Sequence, residues 1–146
     1  MEMKFPTHPK CIASCIVRVS FGLSLLCVGL IHYMTFTAFK GMVSEDLAAL
    51  SMLGTLWAYI LPALMIVGGA LFVIGMFMDV AAWAAGLALA SIPAGMLLKS
   101  VLSGVSIATT MPAAVNAFIW LLVYLVVVKS CASCCAGGKD SCCSSK

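Results

Sequence analysis

Four long apolar segments constrain this chain more than any other feature. Each has about the twenty residues that a helix needs to cross roughly 30 Å of hydrocarbon. We expect spans at about residues 11–36, 53–78, 80–98 and 112–128. Because lipid offers no hydrogen bonds to the backbone, such segments cross as helices. The sequence therefore predicts an all-α protein, a transmembrane four-helix bundle.

The distribution of lysine predicts the orientation of this bundle. Positive side chains flank the two ends of the membrane domain, at Lys4, Lys10, Lys129, Lys139 and Lys146. The two loops on the opposite side hold one lysine each. Under the positive-inside rule, both termini are cytoplasmic. The chain then divides into a cytoplasmic segment (1–10), a membrane domain (11–128) and a cysteine-rich cytoplasmic tail (129–146).

The composition indicates a membrane environment and argues against nucleic acid as a partner. Of the 146 residues, 64% are hydrophobic and 9% are charged, whereas soluble domains are about one quarter charged. The lipid bilayer is therefore the expected surroundings. A scattered net charge of +3 does not predict nucleic-acid binding. We see no nucleophile–base pair, paired carboxylate, phosphate loop or heme attachment motif, so the sequence favours a protein that is not an enzyme.

The first span carries a seam of unusual residues, which we call the α1 seam because it lies on α1, the first predicted helix (about residues 11–36). Steps of four and three residues along it give Cys11, Cys15, Arg18, Gly22, Leu25, Gly29, His32 and Phe36. On a helix this spacing puts the whole set on one face. Because ionisable groups in a membrane segment usually avoid lipid, we expect the seam to face the protein interior.

Small residues predict how the helices pack. Helices in lipid associate mainly through close contacts of small side chains. The predicted packing positions are Gly22, Gly29, Gly68, Gly69, Gly75, Ala82, Gly86, Ala90 and Ala94. We also expect Pro62 and Pro93 to kink their helices, and Ser91 and Asn116 to form hydrogen bonds between helices.

Two stretches resemble the DoxX-like four-helix membrane proteins. Residues 18–22 and 29–32 follow that family's first helix, which has an arginine, a glycine four residues later, a second glycine and often a basic residue near its end. Residues 61–77 resemble its second helix, with paired glycines and a later glycine. The resemblance implies a bacterial inner-membrane protein, in some cases a small subunit of thiosulfate- or quinone-linked redox systems. His32 stands where lysine is common, and the cysteine-rich tail is not part of the pattern.

The eight cysteines suggest chemistry at the ends of the chain. Clustered reduced thiols are suitable ligands for soft ions such as zinc or copper(I). The candidate metal ligands are Cys131, Cys134, Cys135, Cys142 and Cys143 in the tail, with His8, Cys11 and Cys15 as a second set. Lipidation of the tail, or no specific role, are the alternatives. We expect Cys27, in mid-membrane, to be a buried small hydrophobe.

Arg18 and His32 are the candidate ligand-binding residues, with Gly22 and Gly29 beside them. Arg18 either extends to lipid phosphates or binds an anion or a quinone head group inside the bundle. His32 has three candidate roles: it donates a hydrogen bond to a backbone carbonyl, relays a proton or binds a metal. They are separated by about 21 Å along the helix, so they cannot share one small ligand.

Three functions follow from these observations. The favoured one is a DoxX-like accessory or structural subunit of a larger membrane complex, such as a redox complex. Such a subunit binds other subunits or further copies of itself. The first alternative is a soft-metal or thiol-handling membrane protein that uses the tail. The second is a quinone- or thiosulfate-linked oxidoreductase subunit acting through Arg18 and His32.

Overall fold

The computed structural model describes residues 9–44, 51–104 and 106–136. The helices are α1 (Pro9–Met34), α2 (Phe36–Ser44), α3 (Ser51–Ile74), α4 (Met78–Ser103) and α5 (Ile107–Ala136). These described residues include no strand, and α1, α3, α4 and α5 are long and apolar enough to cross a membrane. The prediction of an all-α fold with four long apolar helices is confirmed.

The four long helices form a ring in which each packs mainly against two others. Helix α1 packs against α3 and α5, α4 packs against the same two helices, and the short α2 lies on α3. Gly22 faces Gly69 while Gly29 faces Pro62, so α1 and α3 run in opposite directions. We call the end of the bundle that contains Arg18 the Arg18 end, and the opposite end the His32 end.

Glycines bring α1 and α3 into backbone contact. A Cβ atom added to Gly22 would lie 2.7 Å from the carbonyl oxygen of Gly69, and one added to Gly69 would lie 2.6 Å from that of Gly22. Gly29 is similarly close to the carbonyl oxygen of Pro62, at 3.0 Å. These distances leave no room for a side chain, so the glycines allow the close approach that stabilises helix pairs in lipid.

The helix bounds differ from the predicted spans at both ends of the membrane domain. Helix α1 ends at Met34, and the hydroxyl of Thr35 donates to the carbonyl of Ile31 at 2.8 Å before α2 begins. Helix α5 continues through Cys131 to Ala136. Its 30 residues span about 45 Å, more than the hydrocarbon thickness. Hydropathy marks only the part of a helix that suits lipid, which is why it misses these last turns.

The two prolines that we expect to kink their helices, Pro62 and Pro93, both lie inside continuous helices. Pro62 is buried within α3 and Pro93 within α4. Near each proline a neighbouring hydroxyl donates to a helix carbonyl. Tyr33 donates to Tyr59 at 2.9 Å, and Ser91 donates to Ala88 at 2.7 Å. These carbonyls are not the ones that lose a backbone donor, which lie four residues before each proline, at Ala58 and Leu89.

Alanines fill the contact face of α4, but not along the strip that the sequence indicates. Of that strip, Ala90 and Ala94 are exposed. Gly86 lies against the ring of Tyr124 in α5, whose hydroxyl donates to the carbonyl of Ala82 at 3.0 Å. The fully buried alanines of α4 are Ala81, Ala85 and Ala88. Because α4 packs between two helices, its buried face is wider than a single four-residue repeat.

Aromatic side chains fill the centre of the ring. The rings of Phe21 and Phe72 meet edge to face, with centroids 5.4 Å apart. Trp120 and Tyr124 of α5 lie beside Phe21, at 6.2 and 6.3 Å. Edge-to-face pairs of this kind stabilise a core beyond the area they bury. The core thus links α1, α3 and α5 near the Arg18 end.

Candidate functional site

The α1 seam faces the interior of the bundle. Arg18, Gly22, Leu25 and Gly29 are buried, and the side chain of Arg18 is only 7% exposed. Cys11, Cys15 and His32 are half-buried. Phe36 lies beyond the break at Thr35, in α2. By contrast, Cys27 is exposed on the outer face of α1, so the expectation of a buried thiol there is wrong.

At the Arg18 end, a glycine leaves space for the guanidinium group. Gly75 follows the last residue of α3 and adopts a positive φ of 79°. A Cβ atom at Gly75 would lie 2.8 to 3.0 Å from three atoms of the Arg18 guanidinium. The positive charge therefore lies at the carboxyl end of α3, where the helix dipole is negative. The helix dipole favours a positive charge at this position.

The turn after Gly75 is tight and conformationally demanding. Phe77, which precedes α4, has a φ of 51°, a value that non-glycine residues rarely adopt. Asp79 follows in the first turn of α4, where a negative charge suits the helix dipole. The α3–α4 hairpin thus presents a negative helix end and an acidic side chain to the same end of the bundle as Arg18.

The thiols near the Arg18 end come from α1 and α5. The hydroxyl of Ser14 contacts the Sγ of buried Cys131 at 4.0 Å, and Nη2 of Arg18 lies 4.0 Å from the Sγ of Cys15. Among the residues that the structure describes, no group of three His, Cys, Asp or Glu side chains is placed to hold a metal ion.

The remaining predicted metal ligands lie outside what the structure describes. Cys142, Cys143 and His8 fall outside the described ranges. Cys134 and Cys135 belong to α5, but only their backbone is described. The soft-metal hypothesis for the tail therefore stays a prediction.

At the His32 end, the imidazole has a defined orientation. Nδ1 of His32 lies 2.6 Å from the carbonyl oxygen of Val28. The ring meets Phe39 of α2 edge to face, with centroids 4.3 Å apart. The contact with the Val28 carbonyl and the ring contact together define the direction of the imidazole. This geometry fits the backbone-donating role, and the proton-relay and metal-binding roles stay predictions.

His32 lines a cavity of about 370 Å³ between α1, α2, α3 and α4. The lining is mainly apolar, with His32, Trp57, Ser91 and Lys99 as its hydrogen-bonding side chains. The cavity walls are His32, Phe39, Val43, Leu53, Gly54, Leu56, Trp57, Leu61, Ser91, Ile92, Gly95, Met96, Leu98 and Lys99. An apolar cavity with a few polar groups is the usual form of a small-molecule site.

A hydrogen-bonded pair joins two helices across this cavity. Nε1 of Trp57 in α3 donates to the Oγ of Ser91 in α4 at 3.1 Å, and that hydroxyl donates to the carbonyl of Ala88. Ser91 therefore makes the interhelical bond that its polarity suggests. Asn116, in contrast, is exposed on α5.

The structure separates the two predicted ligand residues. Arg18 does not line the cavity that contains His32, and the two lie at opposite ends of α1. Gly22 and Gly29 are both occupied by contacts with α3, so neither provides open space for a ligand.

The sequence did not single out Trp57, Phe39 or Lys99 as site residues. Nothing in the sequence shows that Trp57 lies opposite Ser91, because the two are 34 positions apart. Phe39 and Lys99 lie at the edges of apolar segments, where hydropathy carries little information. The one available signal was the apolar pattern of residues 36–43, which continues beyond the length that a span requires.

No protein-family model, curated protein or solved structure matches this chain. The DoxX-like resemblance therefore stays a prediction that rests on the residues quoted above.

Proposed function

We propose that this chain is a DoxX-like protein of the bacterial inner membrane that acts as an accessory subunit of a larger membrane complex. The observation that carries the proposal is the use of the α1 seam. Gly22 and Gly29 pack against α3, and Arg18 fits beside Gly75. The polar and small residues of the first helix thus build the bundle, which suits a structural subunit.

The outer face of α5 is the surface we assign to a partner helix. Within its most apolar stretch 17% of α5 is buried, compared with 39% for α3, so it is the least enclosed span. Its large exposed side chains follow helical spacing at Val115, Phe118, Leu122 and Leu125. We assign this ridge to another transmembrane helix, from a different subunit or a second copy, because the chain itself encloses α5 least. The contact would depend on van der Waals packing.

Native mass spectrometry of the protein extracted in mild detergent tests this assignment. We expect masses above the 15.3 kDa of one chain, and the added mass identifies another subunit or a second copy. The double substitution Leu122→Ala/Leu125→Ala should shift the population toward single chains. Leu23→Ala/Leu30→Ala is the matched control, because it removes two similarly exposed leucines from α1.

Two results would overturn the proposal. One is a wild-type protein that always appears as a single chain. The other is an equal shift toward single chains in the α1 and α5 double variants. That result would show that the α5 ridge has no special role in association.

We further propose that both termini face the cytoplasm. The lysines that flank the membrane domain support this orientation through the positive-inside rule. The contact between Ser14 and Cys131 supports it too, because it brings the start of α1 and the end of α5 to the same end of the bundle.

Labelling of single-cysteine variants tests the orientation. A variant that retains only Cys143 should react with a membrane-impermeant maleimide after permeabilisation of the inner membrane and not before. Labelling of Cys143 in intact spheroplasts would show that the carboxyl terminus faces the periplasm and would contradict the proposed orientation. A single cysteine introduced by Ser106→Cys, in the loop before α5, is the control that should give the opposite result.

A further inference from the structure

The cavity at the His32 end has the size and composition of a small-molecule site. Its volume of about 370 Å³ falls within the roughly 300–1,000 Å³ of typical ligand pockets. Leu53, Leu56 and Leu98 line it and are also exposed on the outside of the bundle. The exposed part of the lining therefore includes apolar side chains, which suits an apolar ligand.

His32 presents a hydrogen-bond acceptor. The carbonyl of Val28 can only accept, so Nδ1 of His32 carries the proton in the bond between them. In a neutral imidazole the other nitrogen, Nε2, then has a lone pair and no proton.

Ser91 also has acceptor capacity to spare. Its hydroxyl has one proton, which it donates to the carbonyl of Ala88, and two lone pairs, one of which accepts from Trp57. One lone pair is left. Trp57 has a single N–H, which this bond uses, so it has no donor to offer a ligand.

Lys99 also lines the cavity, but it makes an interaction of its own. We therefore assign it no contact with a ligand. The groups with spare capacity are the Nε2 of His32 and the Oγ of Ser91, and both accept.

We propose that this cavity binds an apolar molecule with a hydroxyl head group, an alcohol or a phenol, whose O–H donates to the Nε2 of His32 or the Oγ of Ser91. A head group that only accepts, such as a ketone, an ether or the carbonyl of an oxidised quinone, finds no matching donor on those two groups. This binding role goes beyond the accessory-subunit function and does not depend on it.

Two probes that differ only in the donor test the proposal. 4-Hexylphenol and 4-hexylanisole share their apolar body, but methylation removes the O–H of the second. We expect the purified full-length protein in lipid nanodiscs to bind the phenol about tenfold more tightly, as one net hydrogen bond allows. Equal affinities, or tighter binding of the anisole, would overturn the proposal.

Two substitutions locate the binding. His32→Phe keeps an aromatic ring beside Phe39 and removes the acceptor, so the preference for the phenol should fall at least threefold. Tyr33→Phe is the matched control, because it removes a hydroxyl from the same end of α1 outside the cavity lining. It should leave the preference unchanged. A preference that survives His32→Phe and Ser91→Ala alike would contradict the assignment.

Gly95→Leu provides a variant that fills the cavity without disturbing the core. Gly95 lines the cavity, and an added Cβ atom would have no atom within 4 Å. We expect this variant to fold normally and to lose at least tenfold in affinity for both probes. Unchanged binding would place the probes elsewhere on the protein.

A third probe addresses charge. 4-Hexylbenzoate carries a carboxylate, which would bind best if Lys99 selected the ligand. We expect it to bind more weakly than the phenol. Tighter binding of the benzoate that is lost in Lys99→Met would show an anion site and would overturn the hydroxyl assignment.

Discussion

The two ends of the bundle deal with polar residues in opposite ways. At the Arg18 end, the guanidinium fits beside a glycine that has no space for a methyl group. At the His32 end, an imidazole and a serine hydroxyl line a cavity of about 370 Å³. One end encloses its polar group by close packing, and the other keeps its polar groups accessible. Polarity within a membrane helix therefore does not by itself indicate a binding site, because the space around the polar group decides.

The largest expected effect tests the close packing of α1 and α3. Gly69→Ala would bring a Cβ atom within 2.7 Å of backbone atoms of Gly22 and Leu26, which cannot move aside cheaply. We expect a loss of about 3 kcal/mol in the free energy of unfolding. SDS titration of the protein in mixed micelles, followed by circular dichroism, measures it.

The control for this substitution lies at the open end. Gly95→Ala meets no atom within 4 Å and removes a flexible residue from a helix. It should leave the free energy of unfolding unchanged or raise it by about 0.5 kcal/mol. Similar losses for the two variants would mean that the ends do not differ in packing.

A second pair of glycines separates backbone strain from the role of Arg18. Gly75 and Gly104 both have a positive φ, 79° and 62°. Alanine at Gly104 has open space around its Cβ atom, so it should cost about 1 kcal/mol from the backbone alone. Alanine at Gly75 must also displace the guanidinium, and we expect about 2 kcal/mol.

The same SDS titration gives both values, and the difference between them is the informative quantity. Equal losses for Gly75→Ala and Gly104→Ala would contradict the fit between Gly75 and Arg18.

The hydrogen bond between Trp57 and Ser91 should contribute less to the free energy of unfolding than the glycine contacts do. Trp57→Phe removes the N–H that donates to Ser91 and some packing between α3 and α4, so we expect a loss of about 1.5 kcal/mol. Trp83 is 79% exposed, and Trp83→Phe should change the free energy of unfolding by less than about 0.5 kcal/mol. A larger loss at Trp83 than at Trp57 would indicate that Trp83 lies in an interface.

Two tyrosine hydroxyls give the smallest effects. Tyr124→Phe removes a half-buried bond to the carbonyl of Ala82, and Tyr33→Phe removes an exposed bond to the carbonyl of Tyr59. We expect losses of about 1 and about 0.5 kcal/mol, in line with interhelical hydrogen bonds in membranes. Thermal unfolding in detergent ranks them, and the reverse order would argue that the His32 end is the more tightly packed one.

The sequence predicts the long helices well, because hydropathy and the length needed to cross a bilayer act locally. The inward direction of the α1 seam can also be predicted from the sequence. The cost of exposing Arg18 to lipid depends only on the residue and its helix. Cys27 shows the limit of such reasoning. A thiol tolerates lipid as readily as a protein interior, so its type does not indicate its direction.

The candidate site was much harder to predict. The cavity depends on α2 folding back onto α3 after Thr35, and on Trp57 meeting Ser91 across 34 positions of the chain. Neither contact leaves a periodic pattern. The place of Arg18 beside Gly75 is equally non-local, although the glycine itself was identified as a packing residue. Residue type shows that a small residue is needed, but not which side chain requires the space.

The fit of Arg18 beside Gly75 has a consequence for the order of membrane insertion. The ribosome makes α1 before α3, so the arginine is already present when the last carbonyl groups of α3 emerge. The first helix can therefore act as a template that receives the following hairpin and places a cation beside the carboxyl end of α3. A chain with its first helix moved to the carboxyl terminus would have the same contacts available, but the hairpin would enter the membrane without its cation.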